Sequence, residues 1–338
     1  MAFPHLILLL LAAVAAAPQE PQVPRHQERV DVARVLVDVR VLDGRGRPVT
    51  GLQPADFAVR IDGRPARVES AYWVGAGAPD AAPDAQGRAA ARPAEARGRL
   101  IVLLYQKDLD PSRIIGLMRM LIETRTFLDS LGPDDRVAVL SFDFHLKIWL
   151  DFTPDLDRVR DVLRRGILFE EPPAVEPVRS PSLMATLDVV RARRASSMED
   201  ALALLGRALE PIPQAKSIVL VGHGFGRLES GSLLFEGSYG EARRALQAAR
   251  ASVFALDVTN ADSHTLEAGL QVTAEDTGGF YERTHLFIQG AIDRLAGALA
   301  GHYVLFVEVE RPLDKQRHEI EVKLANGKDG TVLAKNGY

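Results

Sequence analysis

Apolar and polar side chains alternate from Val30 to Val41, with Val35, Val37, Val39 and Val41 on one side, the period of a half-buried strand. Asp56–Ile61, running into Asp62-Gly63, and Val68–Val74 predict two more strands, with no helical period between them. At Leu100 the alternation gives way to an unbroken apolar run, Leu100–Tyr105, which predicts a strand covered on both faces. Asp110-Pro111 then reads as an N-cap and a first helical residue, and Ile114, Leu117, Met118, Leu121 and Ile122 carry a helix to about Leu131. Further strands are expected at Val137–Phe142, Leu146–Phe152, Ser217–Val221 and Ser252–Val258. Interspersed helices are expected at Asp155–Arg165, Ser182–Arg193, Met198–Glu210, Tyr239–Arg250, Thr265–Thr277 and Phe287–His302. The chain returns to strand character at Tyr303–Glu310, His318–Leu324 and Thr331–Lys335.

Strands mixed with helices over the middle of the chain predict an α/β fold, doubly wound about a mostly parallel sheet. The strands at the two chain ends predict a small β module, since the N-terminal three cannot bury a core alone. Ahead of them, Leu6–Ala17 is apolar and ends in small residues. It is too short to span a bilayer and fits a signal peptide cut before Ala16 or Ala17. Export to the periplasm or beyond is therefore expected.

Composition narrows the chemistry. The 338 residues are 47% hydrophobic and 25% charged, ordinary globular values, with a net charge of −4 and no basic cluster that would suit nucleic acid. There is no cysteine, which removes disulfides, thiolate metal sites and cysteine nucleophiles. No Gly-x-Ser-x-Gly elbow and no phosphate-binding Gly-Lys-Ser/Thr close is present, so Gly222-His223-Gly224-Phe225-Gly226 reads as a sheet-edge turn. His264 and His285 stand alone in sequence, without zinc spacing, and the pairs Glu170-Glu171 and Glu275-Asp276 read as solvated charge. The apolar loop Leu228–Phe235 is either a contact surface or a packed loop.

Three stretches together resemble the VWFA-related domain family of secreted acidobacterial proteins. They are Val37–Asp43 with Arg47–Leu52 and Asp56-Phe57, then Gly132–Val139, and finally Ala274–Tyr281. The resemblance implies a von Willebrand factor A, Rossmann-like α/β domain. Together with the pattern along the chain, the expected division is residues 1–17 as signal peptide, 18–29 as linker, 30–74 as N-terminal β module, 75–98 as linker, 99–302 as the A-like domain, and 303–338 as strands joining the β module.

Domains of that kind hold a metal ion for adhesion with an Asp-x-Ser-x-Ser motif, a threonine and a later aspartate. A hard dication wants such an oxygen set. In this chain the first motif reads Gln106-Lys107-Asp108-Leu109-Asp110, the threonine position falls at Ser196 or Ser197, and the late aspartate falls in Gly222-His223-Gly224. The resemblance thus implies a degenerate adhesion site of Gln106, Asp108, Asp110, Ser196 and His223, with no cofactor. A weak Mg²⁺ site on Asp108 and Asp110 is the alternative. The expected function is an exported, non-enzymatic protein-binding module for adhesion or assembly, with a protein partner, no nucleic acid and no membrane span after signal cleavage. The alternatives are a metal-dependent hydrolase using Asp108, Asp110 and His223, and a purely structural envelope protein.

Overall fold

The computed structural model describes residues 33–75, 98–229, 232–235, 237–309 and 316–338. The expected signal peptide and first linker lie outside these, as does nearly all of the linker expected at 75–98. In chain order, β1 (Ala33–Leu42), β2 (Phe57–Ile61) and β3 (Arg64–Gly75) precede β4 (Leu100–Gln106), α1 (Pro111–Leu128), β5 (Arg136–Phe142) and β6 (Leu146–Thr153). Three short helices follow, α2 (Leu156–Asp161), α3 (Ile167–Phe169) and α4 (Val189–Ala192), and then α5 (Met198–Leu209) and β7 (Lys216–Gly222). A hairpin of β8 (Arg227–Glu229) and β9 (Ser232–Leu234) leads to α6 (Tyr239–Ala248), β10 (Ala251–Asp257), α7 (Glu267–Thr277), β11 (Tyr281–Arg283) and α8 (Ile288–Leu299). The last strands are β12 (Gly301–Val309), β13 (Ile320–Leu324) and β14 (Thr331–Ala334).

One six-stranded sheet runs β11-β10-β7-β4-β5-β6, with every neighbour parallel except the edge strand β6. Leu100, Val102 and Leu104 face one apolar cluster, shared with α5, α6 and α7. Ile101, Leu103 and Tyr105 face the opposite one, shared with α1 and α8. Helices on both faces are the reason the run in β4 needs no polar alternation. The second sheet, β13-β2-β3-β12-β1-β14, is antiparallel throughout. Its ends nearly meet, with the Ile320 N–H donating to the Asn336 carbonyl at 3.0 Å and the His318 N–H to the Tyr338 carbonyl at 3.1 Å. Inside it Val35, Val37, Val39 and Val41 pack with Phe57, Leu305 and Tyr303.

The α/β expectation holds at that level, but neither sheet is wholly parallel. One carries an antiparallel edge, and the β module is no small appendage, having as many strands as its neighbour. Helix α8 lies across the junction, where a methyl group on Gly297 would stand 1.9 Å from the Gly46 carbonyl oxygen, so only glycine permits the approach.

Two local expectations are corrected, and a loop whose role stood open takes the form of a hairpin. Helix Ser182–Arg193 shrinks to α4, because the buried Asp151 carboxylate takes the Ser182 hydroxyl (2.6 Å) and the Leu183 N–H (2.8 Å), and Asp188 starts a new helix by capping Arg191. The apolar loop after Phe225 forms the β8–β9 hairpin, and its Phe235 ring stacks on Tyr239 at 4.2 Å. Asp276 is buried rather than solvated, receiving hydrogen bonds from the Tyr239 hydroxyl and the Asn336 amide, each at 2.6 Å.

Candidate functional site

Because β4, β5, β7, β10 and β11 are parallel, the loops that leave their C-termini emerge along one edge of the sheet. Gln106 ends β4 there, buried between two loops. Its Oε1 accepts the His223 N–H at 3.0 Å, and its Nε2 donates to the Gly224 carbonyl at 2.8 Å. A carboxylate at this position would accept the first bond and could not make the second. The side chain reaches in because Gly222 makes room, since a Cβ there would lie 2.5 Å from Gln106 Oε1.

Asp108 and Asp110 follow, each already engaged. Asp108 Oδ1 accepts the Asp110 N–H at 2.9 Å, and its Oδ2 pairs with the Arg113 guanidinium. Burial would raise the Asp108 carboxyl, but that N–H, Arg113 and His223 together hold it below its usual range. Asp110 caps α1, accepting the Ser112 N–H at 2.8 Å together with the Ser112 hydroxyl. Arg113 therefore places a fixed positive charge against the carboxylate on which a dication would sit.

His223 Nε2 stands 3.7 Å from Asp108 Oδ2. Burial, and then the charge of Arg113, push the imidazole down to about 4, so it is neutral at neutral pH. Its Nδ1 is buried without a hydrogen-bond partner. Ser196 is exposed, and the residue that caps α5 is Ser197, whose hydroxyl accepts the Asp200 N–H at 3.1 Å. No hydrogen bond or ion pair among the described residues joins Ser196 to the others. The structure thus gathers Gln106, Asp108 and His223, with Asp110 beside them as a helix cap.

A second polar group at the same edge is one that sequence spacing does not reveal. Asp257, the last residue of β10, is buried. Its Oδ2 lies 2.7 Å from His264 Nε2 and accepts from the Tyr281 hydroxyl at 2.8 Å, while its Oδ1 accepts the Thr259 N–H at 2.9 Å. The same Tyr281 hydroxyl lies 3.0 Å from Glu267 Oε2, so one phenolic proton serves two carboxylates. Burial and then the Asp257 charge push the Tyr281 phenol well above its usual range and keep it a donor. Arg283 grips Glu267 through two nitrogens, with contacts of 2.9 to 3.0 Å. His264, isolated in sequence, is thus one corner of a cluster, and His285 stands 3.3 Å from Asp262. The available signal was the form of β10 itself, an apolar strand that ends on an aspartate at the edge where parallel sheets place their sites.

No family model matches the chain, and no curated protein matches it. Among solved structures it is similar to "conserved hypothetical protein BatB" from Bacteroides thetaiotaomicron, with a TM-score of 0.39 and 17% identity over 60% of this chain and 97% of that one. It is also similar to a von Willebrand factor type A protein from Catenulispora acidiphila, with a TM-score of 0.43 and 12% identity over 86% and 74%. A third likeness is to the manganese-loaded TRAP protein of Plasmodium vivax, with a TM-score of 0.41 and 11% identity over 70% and 92%. Likenesses this loose carry no weight for function, which has to be read from the chain's own residues.

Proposed function

We propose that the chain is a non-enzymatic protein-binding module of von Willebrand factor A type, exported from the cytoplasm, which engages a protein partner through the C-terminal edge of its parallel sheet. One observation carries the reading. Three of the loops on that edge present large apolar side chains to solvent: Leu109 after β4 (73% exposed), Phe144 in the β5–β6 turn (88%), and Leu286 and Phe287 after β11 (67% and 77%). Isolated exposed apolar residues are ordinary, but several on the loops of one edge mark a contact surface. With strands about 4.8 Å apart, β11 and β5 are separated by roughly 19 Å, a span that suits a macromolecule better than a small substrate. The Gln106 amide clamp and the Arg113–Asp108 pair support a contact made without an adhesion-type metal at the position the family motif would use.

Leu109→Ser, Phe144→Ser and Phe287→Ser combined are expected to leave the unfolding midpoint unchanged. Affinity for the partner captured by the wild-type chain should fall at least about tenfold, since exposed aromatic anchors are typical hot spots. Affinity equal to wild type in calorimetry would overturn the proposal. No helix among the described residues is long and apolar enough to cross a membrane. Export rests on the run Leu6–Ala17. The intact mass of chain recovered from outside the cytoplasm should correspond to a start at Ala16 or Ala17, and a full-length mass would remove that part of the proposal.

A further inference from the structure

We propose that Asp257, His264 and Glu267 form a binding site for a divalent transition-metal ion such as Zn²⁺ or Mn²⁺. The site is separate from the Asp108–Asp110 position and independent of the proposed protein contact. Each residue offers one ligand atom, and the three atoms lie within 4.8 Å of one another. They come together because β10 delivers Asp257 to the sheet edge, and the turn before α7, closed by the Glu267 N–H on the His264 carbonyl, presents His264 and Glu267 together. One imidazole nitrogen and two carboxylate oxygens suit Zn²⁺ or Mn²⁺ better than Ca²⁺ or Mg²⁺, which prefer all-oxygen sets.

The surroundings support a ligand in three ways. First, Asp257 is buried and forms no ion pair with lysine or arginine among the described residues, its carboxylate being bonded by the His264 ring, the Tyr281 hydroxyl and a backbone N–H. A buried carboxylate without a cation is costly. Second, three residues that adjoin members of this cluster, in chain or through charge, carry a buried polar atom without a hydrogen-bond partner among the described residues. The Thr259 hydroxyl belongs to the residue whose N–H holds Asp257, His285 Nδ1 follows the Thr284 that bonds the Asp257 carbonyl, and His223 Nδ1 belongs to a ring that feels the charges of Asp257 and His264. Buried groups of this kind signal a water or ion that completes them. Third, Tyr281 holds the Asp257 and Glu267 carboxylates in place as outer support, while Glu267, gripped at both oxygens by Arg283, gives up one of those contacts to ligate an ion. The 2.7 Å His264–Asp257 contact would open to about 3.0–3.4 Å around an ion bound at about 2.1 Å from each ligand atom.

The test uses the full mature chain stripped with chelator and titrated calorimetrically with Zn²⁺, Mn²⁺, Mg²⁺ and Ca²⁺. One equivalent of Zn²⁺ or Mn²⁺ should bind, more tightly than Mg²⁺ or Ca²⁺. His264→Gln and Glu267→Gln should each weaken it by roughly tenfold or more, while Asp108→Asn should leave it unchanged. The metal-free unfolding midpoints of the variants, compared with wild type, show that their folds are intact. Bound Mn²⁺ should also show imidazole nitrogen coupling in its electron spin resonance signal, lost in His264→Gln. Absence of saturable binding, binding unaffected by both glutamine variants, or binding abolished by Asp108→Asn would each overturn the proposal.

Discussion

Arg40→Ala is expected to destabilise the protein by about 3–5 kcal/mol, the range for breaking a buried, hydrogen-bonded charge. Arg40 lies on the face of β1 opposite the valine row and reaches across the junction between the two sheets. Its Nε donates to the Ala298 carbonyl at 3.0 Å, Nη1 to the Ser252 hydroxyl at 2.9 Å and Nη2 to the Ser217 hydroxyl at 3.2 Å. The guanidinium also sits 5.1 Å from the centre of the Phe254 ring. Burial lowers its pKa to about 10 against the pull of Asp38, so it remains charged at neutral pH. Alanine would empty that volume and orphan the carbonyl near the end of α8 along with both hydroxyls. Arg40→Met fills most of the space without a charge and should cost less, about 1–3 kcal/mol for the unpaired acceptors. Urea unfolding of the three proteins checks the order. Equal losses for alanine and methionine would mean that the hydrogen bonds, rather than the packing, carry the whole effect, and no loss in either would refute the junction role.

Asp38→Asn is expected to lower stability at neutral pH by a similar amount, about 3–5 kcal/mol, and to flatten its dependence on pH in acid. The Asp38 carboxylate lies between Arg250, at 2.6 and 2.9 Å, and His302, whose Nε2 is 3.4 Å away. Burial would raise its pKa, but the hydrogen bonds from Arg250 and the neighbouring His302 ring outweigh it and hold the carboxyl well below its ordinary 3.8. A depressed carboxyl contributes stability that is fully present above the unfolded value and is lost as pH falls toward the folded one. Wild type should therefore lose stability progressively below about pH 4. The asparagine variant should start from a lower plateau and fall less over the same range. Denaturant midpoints between pH 2 and pH 7 test this, and parallel curves for the two proteins would show that Asp38 is not the titrating group.

Part of the edge site was legible along the chain. The apolar runs Leu100–Tyr105 and Ser217–Val221 fix where two parallel strands end, so Gln106, Asp108 and His223 had to meet. The helix cap at Asp110 was equally plain, because Asp-Pro before a helical period admits few other readings. At the threonine position, where the sequence admits Ser196 or Ser197, Ser197 takes the cap of α5 and Ser196 lies exposed beside it. The Asp257 cluster was hidden for a different reason. Its members sit on β10, on the loop and first turn of α7, and on β11, and only the parallel register that sets Tyr281 beside Ala255 brings the phenol to both carboxylates.

The alternation of β1 by itself determined that Val35, Val37, Val39 and Val41 share a buried face, because a strand turns every second side chain to one side. The same period puts Asp38 and Arg40 on the opposite face, and what covers that face the tertiary structure decided. β1 lies inside its sheet, between β12 and β14, and its polar face is covered by the starts of β7 and β10 and the end of α8. A local period reports which side chains point together. Whether the second face meets water depends on what the rest of the chain lays over it, and here that is one end of the parallel sheet and of α8, whose serines, arginine and carbonyl satisfy the charges they bury.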